Sequence, residues 1–145
     1  MSLNEWQKNG WVIKHQSSRQ EIEHLSKLID RDLADCRISG LSADWRFNIA
    51  YNAALQCAQA ALAAVGFRAS KDGHHYRLIQ SLKLTVDVDN RFVRKLDVFR
   101  KKRNVSEYNK AGSITEIELD EMIVLAGQLR KATKAWLAER YPELS

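Results

Sequence analysis

The sequence predicts an all-α protein, folded as an up-and-down bundle of four main helices with a short N-terminal helical piece. The chain has one proline, Pro142, and only 6 glycines in 145 residues, so long segments are free of helix breakers. Residues 42–67 are alanine-rich and uninterrupted, and capping boxes at Ser18 and Thr115 mark two further helix starts. A hydrophobic content of 45% suits one core, so we expect residues 1–145 to form a single domain.

Residues 42–67 are predicted to be the central helix of the bundle. Ser42 can cap its first turn, and Gly66 lies where a left-handed C-terminal residue is expected. Apolar residues recur at steps of three and four, at Phe47, Ala50, Tyr51, Ala54, Ala58, Ala61, Leu62 and Val65. Polar residues fall on the opposite face, at Asn48, Asn52, Gln56 and Gln59. This amphipathic pattern predicts a bundle helix and not a membrane span, and the alanines let neighbouring helices approach closely.

The other elements follow in chain order. The pattern predicts a helical or irregular arm over residues 3–14, then helices over 18–37, over about 75–82, from about 90 to about 104, and from 115 to just before Pro142. Residues 83–90 alternate like a strand, but no partner strand is visible, so we expect a connection there. Residues expected to be buried are Phe47, Ala54, Ala58, Leu62, Leu96, Phe99, Met122 and Leu129.

The basic charge is concentrated in one segment. The formal net charge is +5, yet residues 91–103 hold seven basic residues against Asp97, which gives this segment +6 and the remainder −1. Such a concentration favours phosphate binding, with Arg100, Lys101 and Lys102 as expected ligands. The alternative is a solvated surface on which lysine stems cover apolar groups.

Composition gives no indication of a membrane, a metal or a cofactor. The first residues, MSLNEWQKNG, lack the features of a secretory signal, so we expect a cytoplasmic protein with no membrane segment. Cys36 and Cys57 form no CxxC pair and are predicted to be reduced core residues. No zinc pattern, P-loop or GxGxxG motif is present, so we expect no metal and no cofactor.

The most specific segment is RKKRNVSEY, residues 100–108. Arg103 continues an apolar stripe, so its guanidinium must reach an acid, backbone carbonyls, a second subunit or an anionic ligand. Asn104 adds an amide, and Tyr108 adds a hydroxyl that meets Arg103 only if the helix loosens after Asn104. Alternatively, Arg103 caps carbonyls or pairs with Glu107 while Tyr108 anchors the loop.

At this point the sequence resembles the HEPN domains (higher eukaryotes and prokaryotes nucleotide-binding). The matching pieces are AYNAALQCAQAALAAVGF, GHHYRLIQSL, KRNVSEY and an acid-capped C-terminal helix, in that order. They resemble in particular small stand-alone bacterial members with an RN-xx(A/S)-(D/E)-Y segment. The resemblance covers about residues 18–138.

The resemblance implies a homodimeric helical bundle in which the arginine motifs of two subunits face one cleft. Many HEPN proteins are metal-independent ribonucleases of toxin–antitoxin and defence systems, often encoded beside a minimal nucleotidyltransferase. Arg103 matches the motif arginine and Asn104 its polar residue, but Tyr108 stands where the motif has histidine. Because the reference pKa of tyrosine is about 10, Tyr108 is a poor general base near neutral pH.

Three functions stay open from the sequence. The first is a HEPN-like protein that binds RNA or nucleotide phosphates near Arg103. The second is a catalytically silent module that pairs with a nucleotidyltransferase-like partner, and the third is a ribonuclease with an altered motif. His74 and His75 are candidate replacements for the missing histidine, although a lone histidine on an apolar face, such as His75, is typical of a core residue. His15 and His24 have no ligand-like company in the sequence.

Overall fold

The structure, a computed structural model, describes residues 1–108 and 112–145, without the side chains of residues 105–108. In these residues it contains the helices α1 (Leu3–Lys8), α2 (Arg19–Asp35), α3 (Ala43–Ala64), α4 (His74–Ser81), α5 (Asn90–Tyr108) and α6 (Glu116–Arg140). Two short strands, β1 (Val12–Lys14) and β2 (Phe67–Ala69), complete it. The predicted all-α class is therefore confirmed, with α2, α3, α5 and α6 as the long helices.

The central helix α3 begins and ends where the sequence predicted. At its start, the Ser42 hydroxyl accepts a hydrogen bond from the Trp45 N–H at 3.2 Å. Just past its end, Gly66 has a φ of +97°, a backbone conformation that residues other than glycine rarely adopt. The face predicted to be polar is only partly exposed to solvent, because Gln56 is buried and Asn48 is half-buried. The other elements surround α3 so closely that only part of that face reaches water.

A buried carboxylate on α2 explains why Gln56 can lie inside the bundle. Asp32 accepts hydrogen bonds from Gln56 Nε2 at 2.7 Å and from Asn52 Nδ2 at 3.0 Å. Nearer the turn, Arg46 Nε donates to the Cys36 carbonyl at 2.8 Å. Residues late in α2 thus meet residues early in α3, so the two helices are antiparallel, as the short turn between them predicted.

The start of α6 is tied to the start of α3. The Asp44 carboxylate accepts hydrogen bonds from the Gly112 N–H at 2.6 Å and the Ile114 N–H at 3.3 Å. The capping box predicted at Thr115 is confirmed, since its hydroxyl accepts from the Glu118 N–H and the Glu118 carboxylate accepts from the Thr115 N–H. These bonds fix the direction in which α6 enters the bundle.

A two-stranded sheet was not predicted. β1 pairs antiparallel with β2, with Val12 opposite Ala69 and Lys14 opposite Phe67. Three-residue strands show too little alternation to be recognised, and their pairing joins segments far apart in the sequence. The connection predicted over residues 83–90 is confirmed, since no strand forms there.

The predicted core is confirmed at each of its eight positions, all of which are buried: Phe47, Ala54, Ala58, Leu62, Leu96, Phe99, Met122 and Leu129. Phe47 and Phe99 meet edge to face, with ring centroids 5.5 Å apart. Cys36 and Cys57 are buried thiols without a disulfide, as predicted. In the described part of the chain, no helix is both long and apolar enough to cross a membrane.

Candidate functional site

An open cleft lies between the first turn of α4 and the second half of α5. It has a volume of about 440 Å³ and is lined by Gly73, His74, His75, Tyr76, Arg100, Arg103 and Asn104. Three residues that the sequence singled out, Arg100, Arg103 and Asn104, therefore lie together. The structure adds the start of α4 as the opposite wall.

Gly73 shapes that opposite wall. It precedes α4 with a left-handed φ of +62°, and no side chain caps the helix. The turn places His74 and His75 in the first turn of α4, where both line the cleft. His75 is half-buried, so it is neither a fully buried core residue nor a fully exposed one. Its Nδ1 lies 3.5 Å from the Tyr51 hydroxyl of α3.

Arg103 packs on the face of an aromatic residue beneath the cleft. Its guanidinium carbon lies 5.4 Å from the centre of the Tyr51 ring, and Tyr51 is only 1% exposed. Burial raises the pKa of Tyr51 well above its usual value, and the charges of Arg103 and Arg100 oppose that rise. Arg103 can occupy a position on the apolar stripe of α5 because the Tyr51 ring attracts its cation.

The basic residues of the segment divide between the cleft and the surface beside it. Arg100 Nε donates to the Asp97 carboxylate at 2.7 Å, which holds Arg100 at the cleft. Lys101 Nζ lies 3.8 Å from the same carboxylate, and Lys102 Nζ lies 3.3 Å from Glu118 on α6. Neither lysine lines the cleft, so the phosphate contacts that we expected from them would come from outside it.

The end of α5 differs from the expectation. The helix continues to Tyr108 instead of ending at about residue 104, so the loosening that would bring Tyr108 to Arg103 does not occur before Tyr108. The side chain of Tyr108 lies outside the described residues, and so does that of Glu107. Helical backbone continues here because the residues after Asn104, through Tyr108, include neither proline nor glycine.

A series of cation–aromatic contacts borders the cleft. Sequence spacing did not indicate it, because its members come from three separate segments of the chain. The guanidinium carbon of Arg77 lies 3.7 Å from the centre of the Trp11 ring and 5.4 Å from that of Tyr76. The guanidinium carbon of Arg100 lies 5.5 Å from the centre of the Tyr76 ring. These contacts connect the N-terminal segment, α4 and α5.

A smaller concavity of about 200 Å³ adjoins the cleft, and His74 lines both. In it, His15 Nε2 lies 2.9 Å from both carboxylate oxygens of Glu21, which also accepts a hydrogen bond from the Ser17 hydroxyl. His15 therefore has a carboxylate partner that its position in the sequence did not indicate. Because Glu21 is engaged in this way, the capping box at Ser18 is half formed, with only the Glu21 N–H bond present.

The cleft combines two kinds of chemistry. Guanidinium groups bind phosphate oxygens through paired hydrogen bonds, and Arg100 and Arg103 both line it. Imidazoles exchange protons near neutral pH, and His74 and His75 are beside them. Among residues whose placement is described, no group of three or more histidine, cysteine or acidic side chains is arranged to hold a metal ion.

Comparison of the chain with protein-family models, with curated proteins and with solved structures returned no match. The cleft itself offers two chemical features, namely the cations of α5 and the histidines of α4.

Proposed function

We propose that this chain is a cytosolic HEPN-like protein of a toxin–antitoxin or defence system that binds RNA or nucleotide phosphates in the cleft between α4 and α5. The observation that carries the proposal is the presence of Arg100, Arg103 and Asn104 in one open cleft. The segment KRNVSEY, which resembles the HEPN motif, supplies the family and the biological context.

The charges of α5 support phosphate as the ligand. A guanidinium forms two parallel hydrogen bonds to a phosphate, and its charge persists at any physiological pH. Arg103 is half-buried above Tyr51 and Arg100 is fixed by Asp97, so both cations are positioned before a ligand arrives. Positioned donors lose less entropy on binding than flexible ones.

We also propose that two copies of the chain associate, so that two clefts act together. Apolar side chains on the outer surface support this, since Ile117 is 72% exposed and Val124 57% exposed on α6. They are seven residues apart and so share one face of the helix. Val98 of α5 is 60% exposed as well.

Salt-dependent binding tests the proposal directly. Fluorescence anisotropy with a labelled single-stranded RNA is measured over a range of salt concentrations for the wild type, Arg103→Ala and Lys101→Ala. Losing a charge-assisted hydrogen bond of about 1.5–3 kcal/mol weakens binding about 10- to 150-fold, which we expect for Arg103→Ala. Lys101 lies outside the cleft, so Lys101→Ala should mainly reduce the salt dependence.

The contrary result is equally clear. If the wild type binds neither RNA nor a nucleotide at low salt, phosphate binding is refuted. A silent module that pairs with a nucleotidyltransferase-like protein is then favoured, and co-purification with the product of a neighbouring gene is its test.

RNA cleavage is a second candidate function, favoured by the histidine pair. The rings of His74 and His75 have centroids 5.9 Å apart and line the cleft that holds Arg103. One imidazole would take the proton of a ribose 2′-hydroxyl as its oxygen attacks the phosphorus. The other would protonate the departing 5′-oxygen, which leaves a 2′,3′-cyclic phosphate. Arg103 would stabilise the negative charge that develops on the phosphate.

A gel assay of RNA cleavage tests this second candidate. We expect a bell-shaped pH dependence for the wild type and a loss of about 100-fold or more in His74→Ala and in His75→Ala. His24→Ala changes an exposed histidine outside the cleft and is the matched control. Cleavage that persists in both cleft variants, or is absent from the wild type, would exclude this mechanism.

A further inference from the structure

Tyr76 is an aromatic residue held at the rim of a cationic cleft. It is 38% exposed and lines the cleft beside Arg100 and Arg103. Large aromatic side chains usually contribute to stability by burial, as Phe47 and Phe99 do here. An aromatic ring left accessible among cations is typical of a surface that contacts the flat face of a ligand.

The surroundings of Tyr76 fix its position. The guanidinium carbon of Arg77 lies 5.4 Å from the ring centre and is itself stacked on Trp11 at 3.7 Å. Arg100 lies 5.5 Å from the same centre and is held by Asp97 at 2.7 Å. Both guanidiniums are anchored by another residue, so the ring is oriented without being buried.

We propose that Tyr76 stacks against an unpaired nucleobase of a single-stranded RNA whose phosphate is bound by Arg100 and Arg103. This inference rests on the proposed phosphate-binding function and adds the substrate class to it. Every nucleobase has a π face that stacks on an aromatic ring, whatever the sequence. The bases of a duplex are already stacked on one another, so a double-stranded RNA offers this surface no free face.

The experiment compares an RNA with and without its bases. Binding of a labelled oligoadenylate of about eight nucleotides, within the size range of known single-strand sites, is measured beside an abasic ribose–phosphate oligomer of equal length and charge. The proteins are the wild type, Tyr76→Ala, Tyr76→Phe and Trp45→Ala. Trp45 is an exposed aromatic residue that does not line the cleft, so it is the matched control.

We expect the wild type to bind oligoadenylate more tightly than the abasic oligomer. Stacking of one base corresponds to about a 5- to 150-fold change in affinity, so Tyr76→Ala should lose that preference while its abasic binding stays within about twofold. Tyr76→Phe retains the ring and should keep the preference, and Trp45→Ala should do the same. Thermal melting by circular dichroism confirms that each variant is folded.

Each contrary outcome has a distinct meaning. Equal wild-type affinity for the two oligomers would refute stacking while leaving phosphate binding in place, and this comparison needs no variant to fold. A Tyr76→Ala variant that keeps the preference, or that loses affinity for both oligomers equally, also refutes the inference. If the wild type binds neither oligomer, the proposed function fails together with the inference.

Discussion

The guanidinium carbon of Arg103 lies 5.4 Å from the centre of the buried Tyr51 ring, so α5 and α3 meet through a cation and an aromatic face. Such a contact contributes about 0.5–2 kcal/mol, depending on how far the cation is removed from water. Arg103 is half-buried and also lines the cleft, so it can both stabilise the fold and contact a ligand.

Replacing Arg103 should therefore lower stability. We expect Arg103→Ala to lower the free energy of unfolding by at least about 0.5 kcal/mol, measured by urea unfolding, because its cation–π contact with Tyr51 is lost. The exposed Lys101 is the control, and Lys101→Ala should change stability by less than about 0.5 kcal/mol. A loss of about 3 kcal/mol or more with unchanged RNA binding would make Arg103 a structural residue.

Adding bulk inside α3 should destabilise the bundle. Ala58 is fully buried among neighbouring helices, so Ala58→Leu should cost about 1–3 kcal/mol through overpacking. Ala135→Leu adds the same bulk at an exposed position of α6 and should leave the melting temperature nearly unchanged. An equal melting midpoint for Ala58→Leu and the wild type would contradict the close packing of α3.

The Asp32 carboxylate should contribute more to stability than a surface carboxylate. Asp32→Ala removes the charged acceptor at 2.7 Å from the buried Gln56 amide, which keeps only the Asn52 carbonyl at 3.2 Å, so we expect a loss of about 1.5–3 kcal/mol in urea unfolding. Glu121 pairs with Lys95 on the surface, where both side chains are exposed, and Glu121→Ala should cost at most about 1 kcal/mol. Equal losses in the two variants would show that burial of Asp32 has no energetic consequence.

Stability should fall at alkaline pH. Burial raises the pKa of the Cys57 thiol from 9.0 to about 12. The unfolded chain therefore releases this proton first, and the contribution of Cys57 is complete below pH about 9 and is lost as pH rises towards about 12. Urea unfolding at pH about 8 and about 10.5 should show a smaller pH-dependent loss for Cys57→Ala than for the wild type. The same loss in both proteins would contradict this prediction.

Self-association is the remaining prediction. Light scattering at micromolar concentration should give about twice the chain mass of 16.7 kDa. If the exposed face of α6 takes part, Val124→Lys should shift the protein towards the monomer, whereas Ala34→Lys, at an exposed position of α2, should not. A monomeric wild type would refute the proposal that the clefts of two copies act together, but it would not refute phosphate binding by a single chain.

The sequence predicted the α5 wall of the cleft but not the α4 wall opposite it. The sequence placed Arg100, Arg103 and Asn104 together because they lie within two turns of one helix. It left His75 open as a core residue or a candidate catalyst, and the structure places it half-buried in the cleft wall beside Tyr51, a contact that helical spacing alone does not reveal. It overlooked Tyr76, whose arginine neighbours come from α4 and α5.

The sequence by itself determined the helices, the caps at Ser42 and Thr115 and the identity of the core, because spacing and capping depend on residues a few positions apart. Only the tertiary structure decided that β1 pairs with β2, that Gln56 is buried against Asp32, and that α4 closes the cleft opposite α5. These contacts join segments distant in the chain, so they depend on how the helices pack together and not on local spacing.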